Sequence, residues 1–80
     1  MADANNEELV RYLVTALVDN PDDVRVESRQ DASATVIEVH VNEDDLGKVI
    51  GRQGRIIKAI RTLTRAAAGD SDQVSVEILE

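Results

Sequence analysis

The sequence contains no cysteine, only one proline and a single aromatic residue, Tyr12. The lack of cysteine excludes a disulfide framework and thiol chemistry. The scarcity of aromatic rings argues against single-strand binders that stack bases on aromatic platforms, as RRM and OB-fold proteins commonly do. The chain also has no long apolar run, no basic leader and no lipidation motif. We therefore expect a cytoplasmic protein with no membrane partner.

Acidic residues are missing from one stretch of an otherwise acidic chain. The 80 residues carry 16 acids against nine lysines and arginines, for a net charge of −7. Residues 46–65 contain no acid and six of the nine basic residues, namely Lys48, Arg52, Arg55, Lys58, Arg61 and Arg65. The total charge would argue against a nucleic acid partner, but this placement of charge predicts a local anion-binding surface.

Within the basic stretch, residues 51–54 (GRQG) lie between two apolar segments with helical spacing. Gly51 falls where a helix would end in a left-handed residue, and Gly54 falls where the next helix would begin. We therefore predict a helix, a tight four-residue turn and a second helix. The free backbone amides around Gly54, Arg55 and Ile56 should then point outward as a phosphate site.

The helix after the glycine turn is predicted to separate an apolar face from a basic face. At about 100° of rotation per residue, its apolar residues cluster on one side: Ile56, Ile60, Leu63 and Ala67. Four cations lie opposite, Arg55, Lys58, Arg61 and Arg65, with Ile57 and Thr64 at the border. We expect the first face in the core and the second beside the turn. Arg61 and Arg65 could equally be solvated residues that offset nearby acids.

The segments before the glycine turn predict one more helix and a β-hairpin. A polar, frayed segment at residues 1–6 is expected to precede an amphipathic helix over residues 7–18. Strict alternation predicts strands over residues 24–30 and 35–41. Asn42 then suits the N-cap of the short helix that leads to the glycine turn. The apolar face of the first helix is wider than one small sheet needs, so it serves either core packing alone or a second subunit as well.

The end of the chain predicts a third strand. The polar segment 69–72 ends the basic helix, and residues 73–79 alternate again, with Val74, Val76 and Ile78 on one face. The predicted order is α-β-β-α-α-β. We expect an α+β fold, in which a three-stranded sheet has its helices packed on one face.

The run VIGRQGRIIKAI resembles the signature of KH domains, which bind single-stranded nucleic acid by clamping about four nucleotides at a GxxG loop. The order of elements resembles the type II KH arrangement. A free-standing domain of this size, with LVDNPDDVRVESR ahead of the KH core, is similar to the small bacterial KhpA family of RNA-binding proteins. The resemblance covers almost the whole chain, so residues 1–80 are expected to form one type II KH domain with its loop at 51–54.

What this resemblance implies is single-stranded RNA binding and a role as an RNA chaperone or post-transcriptional regulator. It also implies a homodimer, a complex with a larger Jag-type KH protein (KhpB), or both, and an effect on cell elongation and the cell envelope. Two alternatives stay open. The fold could be a protein-interaction module that has lost the ability to bind nucleic acid. It could also be a factor that binds structured ribosomal RNA during ribosome assembly.

The predicted RNA contacts combine the turn with its neighbours: Lys48, Val49, Ile50, Gly51, Arg52, Gln53, Gly54, Arg55, Ile57 and Lys58. The two glycines let the RNA backbone approach, while Arg52 and Gln53 reach phosphate or sugar oxygens. The remaining cations add charge along the strand's path. Bases are expected over the aliphatic residues, together with exposed positions of the second strand such as Val36 or Glu38.

No catalytic, metal or cofactor site is predicted. His40 is the only histidine, and its outward position on a strand makes it a surface residue. Glu43, Asp44 and Asp45 could be read as metal ligands, but adjacent helical residues point in different directions. They are better explained as acids in a first helical turn, where the helix dipole favours negative charge. We therefore expect no enzymatic activity and no cofactor.

Overall fold

The computed structural model describes residues 2–69 and 73–79, with side chains from Asn6 onward. Its helices and strands are α1 (Ala2–Leu17), β1 (Arg25–Asp31), β2 (Ala34–His40), α2 (Leu46–Ile50), α3 (Arg55–Ala68) and β3 (Gln73–Leu79). Short 3₁₀ turns at Pro21–Asp23, Glu43–Asp45 and Arg52–Gly54 precede β1, α2 and α3. The predicted order of helices and strands is confirmed.

The sheet has the strand order β1-β2-β3, with β2 in the centre. β1 and β2 form an antiparallel hairpin in which Val26 lies opposite Val39. β2 and β3 are parallel, with Val39 opposite Ile78, because α2 and α3 carry the chain back across the sheet between them. The hairpin turn has only two residues, Ala32 and Ser33, between the paired residues Asp31 and Ala34.

All three helices cover the same face of the sheet, as predicted. The buried core draws on every helix and strand: Val10, Val14, Val26, Ile37, Val39, Val41, Val49, Ile57, Ile60 and Val76. Because side chains alternate along a strand, the residues between these positions face away from the helices. The opposite face of the sheet, called here the open face, therefore carries most of the charged residues of the strands.

The first helix begins earlier than the sequence indicated. α1 starts at Ala2 instead of residue 7, and the Asn6 side chain is buried. A frayed segment reaching to Asn6 is therefore at odds with the structure, while flexibility of the residues before it stays a prediction. α1 ends at Leu17, ahead of the 3₁₀ turn that Pro21 begins, because proline cannot continue a helix.

The buried face of α3 differs from the predicted one. Ile60 is buried as expected, but Ile57 and Thr64 join it in place of Leu63 and Ala67, which are exposed. Thr64 can be buried cheaply because its hydroxyl donates to the Ile60 carbonyl at 2.7 Å. The buried face is thus displaced by about 60°, less than the 100° of one residue, from the face that hydrophobicity alone favours.

The end of α3 follows the sequence prediction as far as the structure describes it. Gly69 has φ +88°, which favours glycine, and its amide donates to the Arg65 carbonyl at 3.2 Å. The other residues of the predicted stop, 70–72, lie outside the described part of the chain.

Within the described residues, none of the helices combines the length and apolar character that a membrane crossing needs.

Candidate nucleic-acid interface

The glycine turn forms a sharp bend between α2 and α3. The Gly51 amide closes α2 by donating to the Gly47 carbonyl at 2.9 Å. Three of the four residues then have positive φ: Gly51 (+78°), Gln53 (+58°) and Gly54 (+74°). Arg52 and Gln53 are exposed at the tip. We call residues 51–54 the bend; it lies at the surface, so another chain can approach it.

The two glycines are required for different reasons. Gly51 combines φ +78° with ψ 171°, a region that is essentially restricted to glycine, and a Cβ there would lie 2.8 Å from Ile56 Cβ and 2.9 Å from Ile56 N. Gly54 lies in the ordinary left-handed region, and a Cβ there would meet only Ile57 Cγ2 at 3.9 Å. Gly51 therefore shapes the bend, whereas Gly54 leaves open space beside it.

The backbone amides contribute less to the anion site than the sequence suggested. The Gly54 amide donates to the Gly51 carbonyl at 3.1 Å. The Arg55 amide donates to the Arg52 carbonyl. Two of the three amides predicted to face a phosphate are thus used to close the turn. The attraction for anions must depend more heavily on side-chain cations.

Three cations surround the bend without a carboxylate partner. Arg52, Arg55 and Lys58 are exposed, and none of them forms an ion pair with any acid among the described residues. The only side-chain contact recorded for them there is a weak one of 3.4 Å, from Arg55 to the Gln53 side-chain oxygen. Their charge therefore remains available to a ligand.

Arg61 has a structural role at the edge of the sheet. Its Nε donates to the Val76 carbonyl of β3 at 3.2 Å. Arg11 of α1 makes an equivalent contact with the Val26 carbonyl of β1 at 3.4 Å. Each outer strand thus has a carbonyl covered by a guanidinium, which makes pairing with another strand less favourable. This contact supports neither of the two roles considered for Arg61, which were to bind RNA or to offset the charge of nearby acids.

Lys48 differs from the other cations near the bend because it is paired within the protein. Its ammonium contacts the Asp19 carboxylate and lies 3.6 Å from Asp45 Oδ1. The hydrogen bond from Lys48 to Asp19 raises the pKa of the lysine, and the negative charges of both acids add to that effect against partial burial. In the unbound protein Lys48 does not supply free charge to an RNA strand.

The predicted aliphatic groove is only partly at the surface. Ile50, the last residue of α2, is 39% exposed and can contact a base. Val49 is fully buried and Ile57 nearly so, which places both in the core beneath the bend. They can hold α2 and α3 in position, but Val49 offers no surface to a ligand in this conformation.

The expectation for the second strand is wrong, because Val36 and Glu38 lie on the open face. Ile37 and Val39 point toward the helices, so their neighbours point away from them and from the bend. Val36 is also buried. The open face carries Glu27, Glu38 and Glu77 in one row across the three strands.

This row of glutamates repels phosphate, so an RNA strand would avoid the open face. Glu38 is 3.2 Å from Arg29 Nε, and that hydrogen bond is the main reason that the pKa of Arg29 is raised. The open face therefore carries more acidic than basic side chains, with Glu27, Asp31, Glu38 and Glu77 against Arg25 and Arg29.

Asp45 is a residue whose importance the sequence did not reveal. Its carboxylate is fully buried and accepts hydrogen bonds from the Asp19 amide at 3.2 Å, the Asn20 amide at 3.0 Å and the Asn20 side chain at 3.1 Å. Burial alone would raise the pKa of Asp45, but these bonds and the Lys48 charge together lower it. In the sequence Asp45 looks like its exposed neighbours Glu43 and Asp44, since its partners are 25 and 26 residues away.

The fold and the bend together define a class of protein. A three-stranded mixed sheet, covered on one face by helices that are joined through a GxxG bend, is the architecture of a KH domain. The KH-domain family described as KhpA/KhpB matches residues 7–78. The chain belongs to this family.

Relatives from several bacteria match most of the chain. An "RNA-binding protein KhpA" from Streptomyces coelicolor is 50% identical over 70 residues, which cover 88% of this chain and 89% of the relative. Proteins with the same description from Caldanaerobacter subterraneus and Borreliella burgdorferi are 51% and 42% identical. They cover 90% and 95% of this chain, and 97% and 94% of their own lengths. The family is not one of enzymes, which confirms that prediction.

Proposed function

We propose that this protein binds single-stranded RNA at the bend. The observation that carries the proposal is the exposed, glycine-bounded bend beside three cations that form no ion pair among the described residues, on an otherwise acidic molecule. Gly51 shapes the bend, Gly54 leaves room for the RNA backbone to approach, and Arg52 and Gln53 reach its phosphate or sugar oxygens. Arg55 and Lys58 add charge along α3, and Ile50 offers an apolar surface to a base. The description of the relatives as RNA-binding proteins supports the same assignment.

The test is a titration of short fluorescent single-stranded RNA, followed by anisotropy. We expect binding that is lost in Gly54→Asp, because this change adds a negative charge where the RNA backbone lies and the space for the side chain is open. Ser75→Asp adds the same charge on the open face and should bind like the wild type. Equal affinity of Gly54→Asp and the wild type would refute the assignment of the bend. No binding by the wild type would favour a protein-interaction module.

Within this function we propose a role as an RNA chaperone or post-transcriptional regulator in the cytoplasm. One small domain with few phosphate contacts suits brief, weakly specific binding to many RNAs. An influence on cell elongation and the envelope would follow from the transcripts that are bound. Identification of the RNAs crosslinked to the protein in cells tests this role. Recovery of ribosomal RNA alone would favour the alternative role in ribosome assembly.

We further propose that the protein acts as a homodimer or together with a larger KH protein of the KhpB type, which shares the family description. The support from the structure is apolar surface on two neighbouring helices: Tyr12 on α1 is 73% exposed and Leu63 on α3 is 51% exposed. Sedimentation should show a dimer that Leu63→Glu weakens and that Thr62→Glu, one residue away, affects less. A monomeric wild type at all concentrations would refute self-association.

A further inference from the structure

The buried carboxylate of Asp45 connects the start of α2, the helix that leads into the bend, to the segment that follows α1. Asp19 and Asn20 follow α1, whereas Asp45 comes directly before α2. Three hydrogen bonds, from the two backbone amides and the Asn20 side chain, converge on the two oxygens of the Asp45 carboxylate. The side chain does not cap its own helix. Its hydrogen-bonding capacity is thus directed to the segment that leaves α1.

This connection matters because α2 is short. α2 has five residues, of which only Val49 is buried, and it ends at Ile50, directly before the bend. A helix of this length has little packing surface to determine its position. The hydrogen bonds of Asp45 at its N-terminal end therefore make a large contribution to where α2, and with it the bend, is held.

Lys48 completes the arrangement from within α2. Its ammonium contacts Asp19 and lies 3.6 Å from Asp45 Oδ1, so its single positive charge is shared between the two carboxylates. The pKa of Asp45 is lowered and that of Lys48 is raised, which agrees with both groups being charged. Loss of Lys48 would leave both carboxylates without this positive charge.

We propose that Asp45 and Lys48 form a latch that positions the bend, in which Lys48 serves as a counter-ion shared by Asp45 and Asp19 and not as a phosphate contact. Both are positioning residues that act through α2. This inference rests on the proposed function for its relevance to RNA, but the latch itself can be tested in the free protein. It changes the expected role of Lys48 from ligand contact to support.

The first experiment measures backbone amide chemical shifts of the unbound protein by NMR. Asp45→Asn should shift the amide signals of residues 51–55. The substitution replaces one of the accepting carboxylate oxygens by an NH2 group, which donates, and it removes the negative charge. Asp44→Asn, at the exposed neighbouring acid, should leave them in place. If Asp45→Asn does not fold, Asn20→Ala removes one bond of the latch and should shift the same amides less. Unshifted bend amides in the folded variants would overturn the proposal.

The second experiment compares two lysines by the salt dependence of RNA binding. On single strands each phosphate contact contributes about −0.7 to the slope of log K against log salt. Lys58→Gln should flatten the slope by roughly 0.7. Lys48→Gln should leave the slope unchanged while lowering affinity at every salt concentration. A flattening by Lys48→Gln equal to that of Lys58→Gln would overturn the proposal.

The two experiments separate failure of the latch from failure of the proposed function. If the wild type does not bind RNA, the proposed function is rejected, and the chemical shifts of the free protein alone decide whether Asp45 positions the bend. If the wild type binds and the bend amides do not move in Asp45→Asn, the latch is rejected and RNA binding stands.

Discussion

Ile56 packs directly over Gly51, so closely that a Cβ at position 51 would lie 2.8 Å from Ile56 Cβ and 2.9 Å from its backbone nitrogen. The first residue of the bend is therefore fixed by the second residue of α3. Ile56 is half-buried and also packs against the core. The shape of the candidate RNA-binding surface is thus tied to the packing of α3.

We expect the two bend glycines to differ in stability when replaced. Gly51→Ala should lower the free energy of unfolding by about 3 kcal/mol, because it combines a backbone region that costs non-glycine residues about 1–3 kcal/mol with the clash at Ile56. Gly54→Ala should cost about 1 kcal/mol for its left-handed conformation. Urea denaturation followed by circular dichroism measures both.

Gly47 provides the matched control for these substitutions. It lies inside α2 with no atom within 4 Å of an added Cβ, and its φ is not positive. Gly47→Ala should therefore raise stability by about 0.5–1 kcal/mol. Equal midpoints for Gly51→Ala and Gly54→Ala would contradict the role of Ile56.

The RNA interface should show a modest salt dependence. Two to four phosphate contacts predict a slope of roughly −1.4 to −2.8 for log K against log salt. Arg55→Gln should flatten this slope by about 0.7, since Arg55 is unpaired with acids beside the bend. Arg25→Gln removes the same charge from the open face and should change the slope little. A near-zero slope for the wild type would mean that the basic residues are outside the interface.

Acid should weaken the fold partly through Asp45. The pKa of Asp45 is lowered in the folded state, whereas aspartate in the unfolded chain has a pKa of about 3.9. Its stabilising effect is therefore fully present above the unfolded pKa and is lost as the pH falls through the folded pKa. Between about pH 5 and pH 2.5, the wild type should lose more stability than Asp45→Asn does.

Asp44→Asn is the control for the acid experiment, since Asp44 is exposed. It should follow the wild-type dependence of unfolding free energy on pH. Parallel curves for the wild type and Asp45→Asn would show that folding does not change the pKa of the Asp45 carboxylate, contrary to this expectation.

The hairpin turn contains a residue that glycine would suit better. Ala32 has φ +57°, a conformation that costs L-residues about 1–2 kcal/mol. Ala32→Gly should stabilise the protein by about 0.5–1 kcal/mol after the greater freedom of glycine in the unfolded chain is counted. Ser33→Gly, at a position without positive φ, should instead be destabilising. Thermal unfolding of both variants decides the point, and a lower midpoint for Ala32→Gly would contradict it.

Much of the fold could be predicted because its signals are local. Alternation located all three strands within one residue, and the glycines located the bend. Asn42 was recognised as a cap, and its side chain does accept from the Asp44 amide at 2.8 Å. Such signals depend on neighbours a few residues apart, which the sequence lists in order.

The site was predicted less completely, because several of its residues depend on distant parts of the chain. Lys48 was expected to offer its charge to RNA, but in the structure it pairs with Asp19 and Asp45. Asp19 is 29 positions away in the sequence, so this pairing could not be seen there. The sequence alone does not distinguish Val49 and Val36 from exposed aliphatic residues, because their burial arises only when the sheet and helices pack together. Whether RNA contacts the predicted residues around the bend stays a prediction.

The sequence by itself determined the element order, the position of the bend and the separation of a basic stretch from an acidic chain. Only the tertiary structure decided which cations pair with acids in the described part of the chain, which face of α3 is buried and that Asp45 hydrogen-bonds the segment after α1. The physical reason is that backbone conformation responds to adjacent residues, whereas burial and charge pairing depend on which distant groups the fold brings within hydrogen-bonding distance.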